Sequence, residues 1–292
     1  MDSIKHIGFG CVALSTFTTQ NAALRILETA YDHGITHFDT APIYGNGFSE
    51  KVLSVFLKNK REKISLATKV GLFPNGTTKL PVWAALPLNA ISKKIKGKTK
   101  EQKITFSHPQ ILPVRPIEKS QIQDSLANSM DRIGVNYFDY VLLHEALPHF
   151  LSTEALDYLF DLKLQGTIGK LGIAASSVNI ETLTNSEIKR WDVLQYENAI
   201  QYNSDSLINT FEEKEHIYHS IFKTLLLVKK EKIDISEAPG ILMARSYLNN
   251  PNGKILFSTT SISNLKSNLR VYEAYAKFPK EEVEKIVRDA IS

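Results

Sequence analysis

Eight short runs rich in β-branched and aromatic residues alternate with segments whose apolar residues recur at helical spacing, and this alternation limits the chain to few architectures. The strand runs are expected at 6–12, 35–40, 64–70, 137–144, 170–174, 192–196, 216–222 and 254–258. Helices are predicted over 21–31, with Thr19 as N-cap and Gly34 as stop, and over 49–57, 121–133, 153–165 behind a Thr153 cap, 180–189, 206–213, 236–249, 263–277 and 279–290. Parallel strands need long crossovers, which helices supply, so eight βα units argue for an α/β fold closed as a (β/α)8 TIM barrel. An open doubly wound sheet is the alternative. Its dinucleotide fingerprint is incomplete here, because Gly8-Phe9-Gly10-Cys11-Val12-Ala13 carries two glycines and no third.

Composition agrees with a barrel-sized core. The 292 residues are 43% hydrophobic and 23% charged, and with no Ser/Gly linker or fixed-period repeat they read as one domain over 1–292. A net charge of +4 over 35 basic and 31 acidic residues favours a small-molecule ligand over nucleic acid or a membrane surface. Cys11 is the sole cysteine, which excludes an internal disulfide and a thiolate zinc cluster and fits a reducing compartment. With no leader-like start and no membrane-length apolar run, a cytoplasmic location is expected.

One stretch interrupts the alternation. Residues 72–119 follow the third strand and hold six prolines together with Lys93, Lys94, Lys96, Lys98, Lys100 and Lys103. In a barrel this insertion overhangs the active face. Its lysines read as a solvated loop or, alternatively, as a lid attracting an anion, and Phe73, Trp83 and Phe106 as pocket walls or loop anchors.

The chemistry gathers where strands end. Asp39 closes the second strand with Tyr44 just beyond it, Lys69 nearly closes the third, and His144 closes the fourth. Carboxyl ends of barrel strands form the active face. Reducing a carbonyl with hydride requires a proton donor at the developing alkoxide, and a tyrosine serves if a nearby cation lowers its pKa from about 10. Lys69 is placed to be that cation, Asp39 to hold Lys69, and His144 to orient the substrate oxygen. Taken singly, each has an ordinary explanation as a turn cap, a loop aromatic, a snorkelling amine or a core histidine. Their convergence at three consecutive strand ends is what points to a site.

The segment His37-Phe38-Asp39-Thr40-Ala41-Pro42-Ile43-Tyr44-Gly45-Asn46-Gly47-Phe48-Ser49-Glu50 resembles the signature of the aldo-keto reductase superfamily, most closely the branch of aldose and galactose dehydrogenases. The resemblance is strongest over 8–71, continues through 138–144 and is traceable to Asn268. It implies a barrel that binds a nicotinamide cofactor without a Rossmann domain, with Asp39, Tyr44, Lys69 and His144 as the catalytic tetrad. It further implies that Gln195 holds the carboxamide, that His219 stands where a stacking tyrosine is common, and that Ser220 lies near the pyrophosphate. Ser258, Thr259 and Asn264 fall in the segment cradling the adenosine phosphate, and Asn268 on the adenine. Two alanines, Ala174 and Ala175, replace the usual Ser-Asn pair. NADP(H) is the family expectation. NAD(H) is also open, since the usual basic residues are absent and Lys266 is the nearest charge.

The expected function is a nicotinamide-dependent oxidoreductase interconverting an aldehyde, ketone or sugar hemiacetal and its alcohol or lactone, with Tyr44 as general acid or base. The alternatives are a nicotinamide-binding regulatory protein with little turnover, and an unrelated barrel enzyme such as a sugar isomerase using Lys69 or His144. No metal site is expected, because His216 and His219, three apart on a strand, face opposite sides. Physiological substrate, reaction direction and oligomeric state leave no trace in the sequence.

Overall fold

A computed structural model describes residues 2–73, 116–202 and 204–292. Trp83, Phe106, His108 and the six insertion lysines lie outside the described residues. Eight parallel strands close into a barrel in chain order, as the alternation predicts. They are β1 (Ile7–Gly10), β2 (His37–Asp39), β3 (Ser65–Val70), β4 (Phe138–His144), β5 (Ile168–Ala174), β6 (Val193–Glu197), β7 (Glu215–His219) and β8 (Lys254–Phe257). The barrel closes where Ile7 pairs with Ile255 and Phe9 with Phe257.

The flanking helices follow from local chemistry. In α1 (Gln20–Asp32) the Thr19 hydroxyl accepts from the Ala22 amide at 3.2 Å, and Ala23, Ile26, Leu27 and Ala30 form the buried stripe. The next helices are α2 (Phe48–Phe56) and α3 (Lys119–Ile133). A Glu118/Gln121 capping box opens α3, and Gly134 closes it in the left-handed region at φ 78°. Beyond them lie α4 (Thr153–Leu164), α5 (Ser177–Glu181), α6 (Asn185–Ile188), α7 (Ser206–Thr210), α8 (Ala238–Asn249), α9 (Ile262–Tyr275) and α10 (Lys280–Ile291).

Of the sequence expectations that differ from the structure, three do so for reasons the side chains and backbone show. The cap of α4 is Ser152 rather than Thr153, because the Ser152 hydroxyl accepts from the Ala155 amide. The helix expected over 180–189 is split into α5 and α6, since Thr184 and Glu187 form a capping box that starts a new turn. The strand expected over 216–222 ends at His219, where Ser220 takes φ 56°, outside any strand conformation, and a 3-10 helix Ile221–Leu226 follows.

Alternation along the strands separates two environments. Outward residues such as Phe9, Phe38, Leu66, Val141, Ile173, Leu194 and Tyr218 pack beneath the helices. Inside the barrel, Ala67, Tyr140, Leu142, Ala174, Val193, Ile217 and Leu256 form a second, smaller cluster. One pleat period further toward the carboxyl ends, the inward positions become polar: Asp39 follows His37, Lys69 follows Ala67, Gln195 follows Val193 and His219 follows Ile217. The opposite end is sealed around Glu215, which accepts from the Tyr140 hydroxyl at 3.1 Å, lies 2.6 Å from Lys170 Nζ and pairs with Lys254 at 3.6 Å. Among the described residues, no helix is long and apolar enough to cross a membrane.

Candidate active site

At the carboxyl ends of the strands lies a cavity of about 360 Å³ lined by Asp39, Tyr44, Lys69 and His144. Asp39 ends β2, Lys69 is the penultimate residue of β3 and His144 ends β4. Tyr44 sits in the turn between β2 and α2, where its amide bonds to the Ala41 carbonyl at 3.0 Å. The four groups that the sequence places at three strand ends are thus brought together.

Lys69 is the hub. Its ammonium pairs with Asp39 Oδ1, donates to the Thr40 carbonyl at 3.3 Å and reaches the Tyr44 hydroxyl at 3.5 Å. Asp39 Oδ2 accepts from Gln195 Nε2 at 2.9 Å, so the carboxylate is held from two sides. The His144 ring stands edge-on to Tyr44 with centroids 5.9 Å apart at 88°. The phenol and imidazole therefore flank one pocket, with the ammonium behind the phenol.

The electrostatics follow from burial. Burial pulls the Lys69 amine down, but the Asp39 carboxylate outweighs it, leaving the pKa above its ordinary value and the group charged. Burial also pushes the Tyr44 phenol up, and although Lys69 opposes this, the balance remains above 10. The expectation that Lys69 would bring the phenol below its usual value is not met here. The cation limits a rise that burial imposes, so Tyr44 is a neutral phenol near pH 7, the form that gives a proton.

The same cavity takes in four of the seven residues suggested for a cofactor: Gln195, His219, Ser220 and Ser258. Burial brings His219 down to about 3, with Lys69 and Lys223 acting in the same direction, so its ring is neutral. Its Nδ1 lies 2.9 Å from the Ser220 hydroxyl. Ser258 donates to the Gly10 carbonyl at 2.5 Å, and a Cβ on Gly10 would stand 2.7 Å from that hydroxyl. The glycine pair that lacks a dinucleotide fingerprint thus serves close contact between β1 and β8.

Thr259, Asn264 and Asn268 do not line this cavity. Thr259 turns its hydroxyl to the Ser261 amide at 3.2 Å, Asn264 is exposed in the first turn of α9, and Asn268 is buried on the same helix. Ala174 lines the wall with its methyl group, while Ala175 is buried and uses its amide on the Gln195 carbonyl.

The cavity also contains residues with no motif to announce them, namely Val12, Ile221, Phe222 and Phe257 as apolar walls, and Glu145. The only sequence signal for Glu145 is its position after His144. His216 takes no part, because its ring nitrogens engage the Tyr196 hydroxyl at 2.8 Å and the Phe211 carbonyl at 3.0 Å. Among the described residues no group of three or more His, Cys, Asp or Glu side chains is arranged to hold a metal ion.

A family model described as "Aldo/keto reductase family" matches residues 6–236. D-threo-aldose 1-dehydrogenase from a Pseudomonas species is 28% identical over 183 residues, covering 59% of this chain and 50% of that protein. The chain spans about half the length of the curated relatives it matches. The holo form of an aldo-keto reductase from Bacillus halodurans superposes with a TM-score of 0.67 at 19% identity, covering 98% of this chain and 93% of the other. An aldo-keto reductase from Klebsiella pneumoniae, in complex with NADPH, gives a TM-score of 0.65 at 17% identity over 98% and 90%. At these identities the structural likeness establishes the fold alone.

Proposed function

The chain belongs to the aldo/keto reductase family, and from that premise we propose that it is a nicotinamide-dependent oxidoreductase interconverting a carbonyl and its alcohol or lactone. The observation that carries the reading is the Lys69 ammonium set between Asp39 and the Tyr44 hydroxyl, with the His144 ring against Tyr44 in the same cavity.

The residues present fit such a cofactor. Gln195 spends its amide N–H on Asp39, which leaves its carbonyl end able to accept from a carboxamide. The neutral His219 ring is a wall against which a flat heterocycle can lie, and Ser220 and Ser258 add hydroxyls along the same side. Thr259, Asn264 and Asn268, outside the cavity, are proposed contacts for the adenosine end. NADP(H) is the form the family leads one to expect, and NAD(H) is the other candidate. When bound, the cofactor supplies or accepts the hydride.

This chain's residues handle the proton. A substrate oxygen between Tyr44 and His144 receives a hydrogen bond from each, and as negative charge develops there the Tyr44 hydroxyl gives up its proton. The phenolate left behind is stabilised by Lys69 at 3.5 Å, whose own charge Asp39 fixes in place. In the oxidative direction the same oxygen takes the proton back. Removing the hydroxyl with Tyr44→Phe should lower kcat by about 10²–10⁴-fold while dinucleotide affinity changes little. Retention of most turnover would sink the mechanism. Dinucleotide binding without turnover of any carbonyl or aldose by the unmodified protein would favour the regulatory alternative.

A further inference from the structure

Among the described residues of the cavity wall, Glu145 carries a carboxylate that the mechanism leaves unused. It follows His144 directly, at φ 54° in the left-handed region, and its amide is fixed to the Ala174 carbonyl at 2.7 Å. A non-glycine residue held there bears a torsional cost, which the packing around it must sustain. The Ser176 amide donates to the Glu145 carboxylate. Its Oε2 is buried and takes no hydrogen bond from any described residue, so a turn of the carboxylate toward the cavity that Glu145 lines would give that oxygen a partner without breaking a side-chain bond.

The surroundings add negative charge rather than cancel it. Glu197, buried at the end of β6, acts on Glu145 across the gap while its own carboxylate is occupied by the Ser177 amide at 3.2 Å and hydroxyl at 3.3 Å. Among the described residues, the cations acting on Glu145 are Lys69, committed to Asp39, and Lys223, which donates to the Tyr202 hydroxyl at 2.9 Å. Among the described lining residues, Lys69 pairs with Asp39 and the His219 ring is neutral, while Glu145 has no cation of its own in the wall. A carboxylate oxygen without a donor calls for a hydrogen-bond donor from the ligand and repels a second anion.

We propose that Glu145 is the specificity-determining residue of this cavity: its carboxylate accepts a hydrogen bond from a hydroxyl near the carbonyl and turns away substrates bearing a carboxylate or phosphate there. The substrate class is therefore neutral hydroxyaldehydes and aldoses. The proposal rests on the carbonyl-handling reading of the site.

The test compares kcat/KM for two matched pairs, glyceraldehyde with propanal and succinic semialdehyde with butanal, in the unmodified protein, Glu145→Gln and Glu145→Ala. Assays are run at pH 8, because burial and Glu197 both raise the Glu145 carboxyl. Dinucleotide Kd is measured in parallel by tryptophan fluorescence. The unmodified protein should prefer glyceraldehyde over propanal by about 10–100-fold, the range of a hydrogen bond to a charged group, and disfavour the semialdehyde. Glu145→Ala should erase most of the first preference. Glu145→Gln, isosteric and still an acceptor, should keep part of it while admitting the semialdehyde. Ratios unmoved in both variants overturn the proposal and leave the oxidoreductase reading standing. Unmoved ratios with a tenfold weaker Kd overturn it by placing Glu145 on the cofactor. Failure of the unmodified protein to bind either dinucleotide or reduce any of the four aldehydes removes both.

Discussion

Replacing Lys69 with Met separates the structural from the chemical duty of its ammonium. The Lys69 and Asp39 side chains are 3% and 4% exposed, so deleting the cation leaves a carboxylate buried with Gln195 as its remaining described side-chain donor. Breaking one side of a buried ion pair costs about 3–5 kcal/mol, because the surviving charge is neither solvated nor compensated. For a chain of this size that corresponds to a fall in Tm of about 5–8 °C. Adding Asp39→Asn removes the orphaned charge and keeps an acceptor for Gln195 Nε2, so the double variant should recover at least about 2 kcal/mol of the loss. Urea unfolding of the four proteins closes the cycle, and a coupling energy of about 2–3 kcal/mol is expected for groups in direct contact. Turnover should be lost in all three variants, since restoring stability does not restore a cation beside Tyr44. Additivity within about 0.5 kcal/mol would refute the argument that the pair is held by mutual compensation. Recovery of turnover in the double variant would refute the role of the ammonium.

Acid should weaken the fold from a little below neutrality. Burial lowers the pKa of His37 and His216 beneath 6.5, so the unfolded chain binds protons that the folded chain refuses. Stability present above about pH 6.5 is then lost as pH falls, at up to about 2.7 kcal/mol per pH unit for the two together. His219 adds less because its ring opens on the cavity, and Glu50 and Glu145, whose carboxyls burial raises, oppose the trend. Urea midpoints that stay level from pH 7 to 5 would contradict this balance. Gly172→Ala should cost about 1–3 kcal/mol, since a Cβ there meets Leu142 and stands 2.7 Å from the Val193 carbonyl, a backbone atom that cannot swing aside. An unchanged thermal midpoint would show that the barrel relaxes locally. Because the Tyr44 phenol lies above 10, its ionisation should leave kcat for carbonyl reduction level up to about pH 9.5, and a fall near pH 8 traced to Tyr44 by the Phe variant would contradict that direction.

The barrel was legible because its determinants are local and repeated: a β-rich run, a cap, an amphipathic stripe, a stop. Thr19 and Gly134 mark helix ends in the sequence and in the structure alike. Boundaries failed where a short-range rival was equally good. Ser152 and Thr153 are both cap residues, and geometry selects the first. Nothing in the composition of 216–222 announces that Ser220 will turn left-handed, because the turn is imposed by the exit from the strand at the barrel rim.

The candidate site divides in the same way. Asp39, Tyr44, Lys69 and His144 were readable because each lies at or just beyond the end of an apolar run, and a parallel barrel converts strand ends into neighbours. Glu145 satisfies the same sequence criterion, yet position alone could not decide between cavity and solvent. Three non-local facts decide it. The Ala174 carbonyl anchors its amide, the Ser176 amide approaches its carboxylate, and Glu197 arrives from β6 with its own oxygens already satisfied. Ala174 and Ser176 belong to β5 and the turn after it, and Glu197 to β6, one strand further round the barrel, all of them remote from Glu145 in sequence. Chemistry shared along one strand end is therefore visible in the chain, whereas charge balance between strand ends is visible only once the barrel is closed. On that ground substrate preference in this protein should respond to changes at β5 and β6, such as Glu197→Gln, and not only at the rim residues beside Tyr44. Glu197→Gln removes the second negative charge without touching the cavity wall, so it should ease entry of succinic semialdehyde by severalfold while the preference for glyceraldehyde over propanal persists. Loss of that preference in Glu197→Gln would mean that the two carboxyls act as one hydrogen-bonded unit rather than as independent charges.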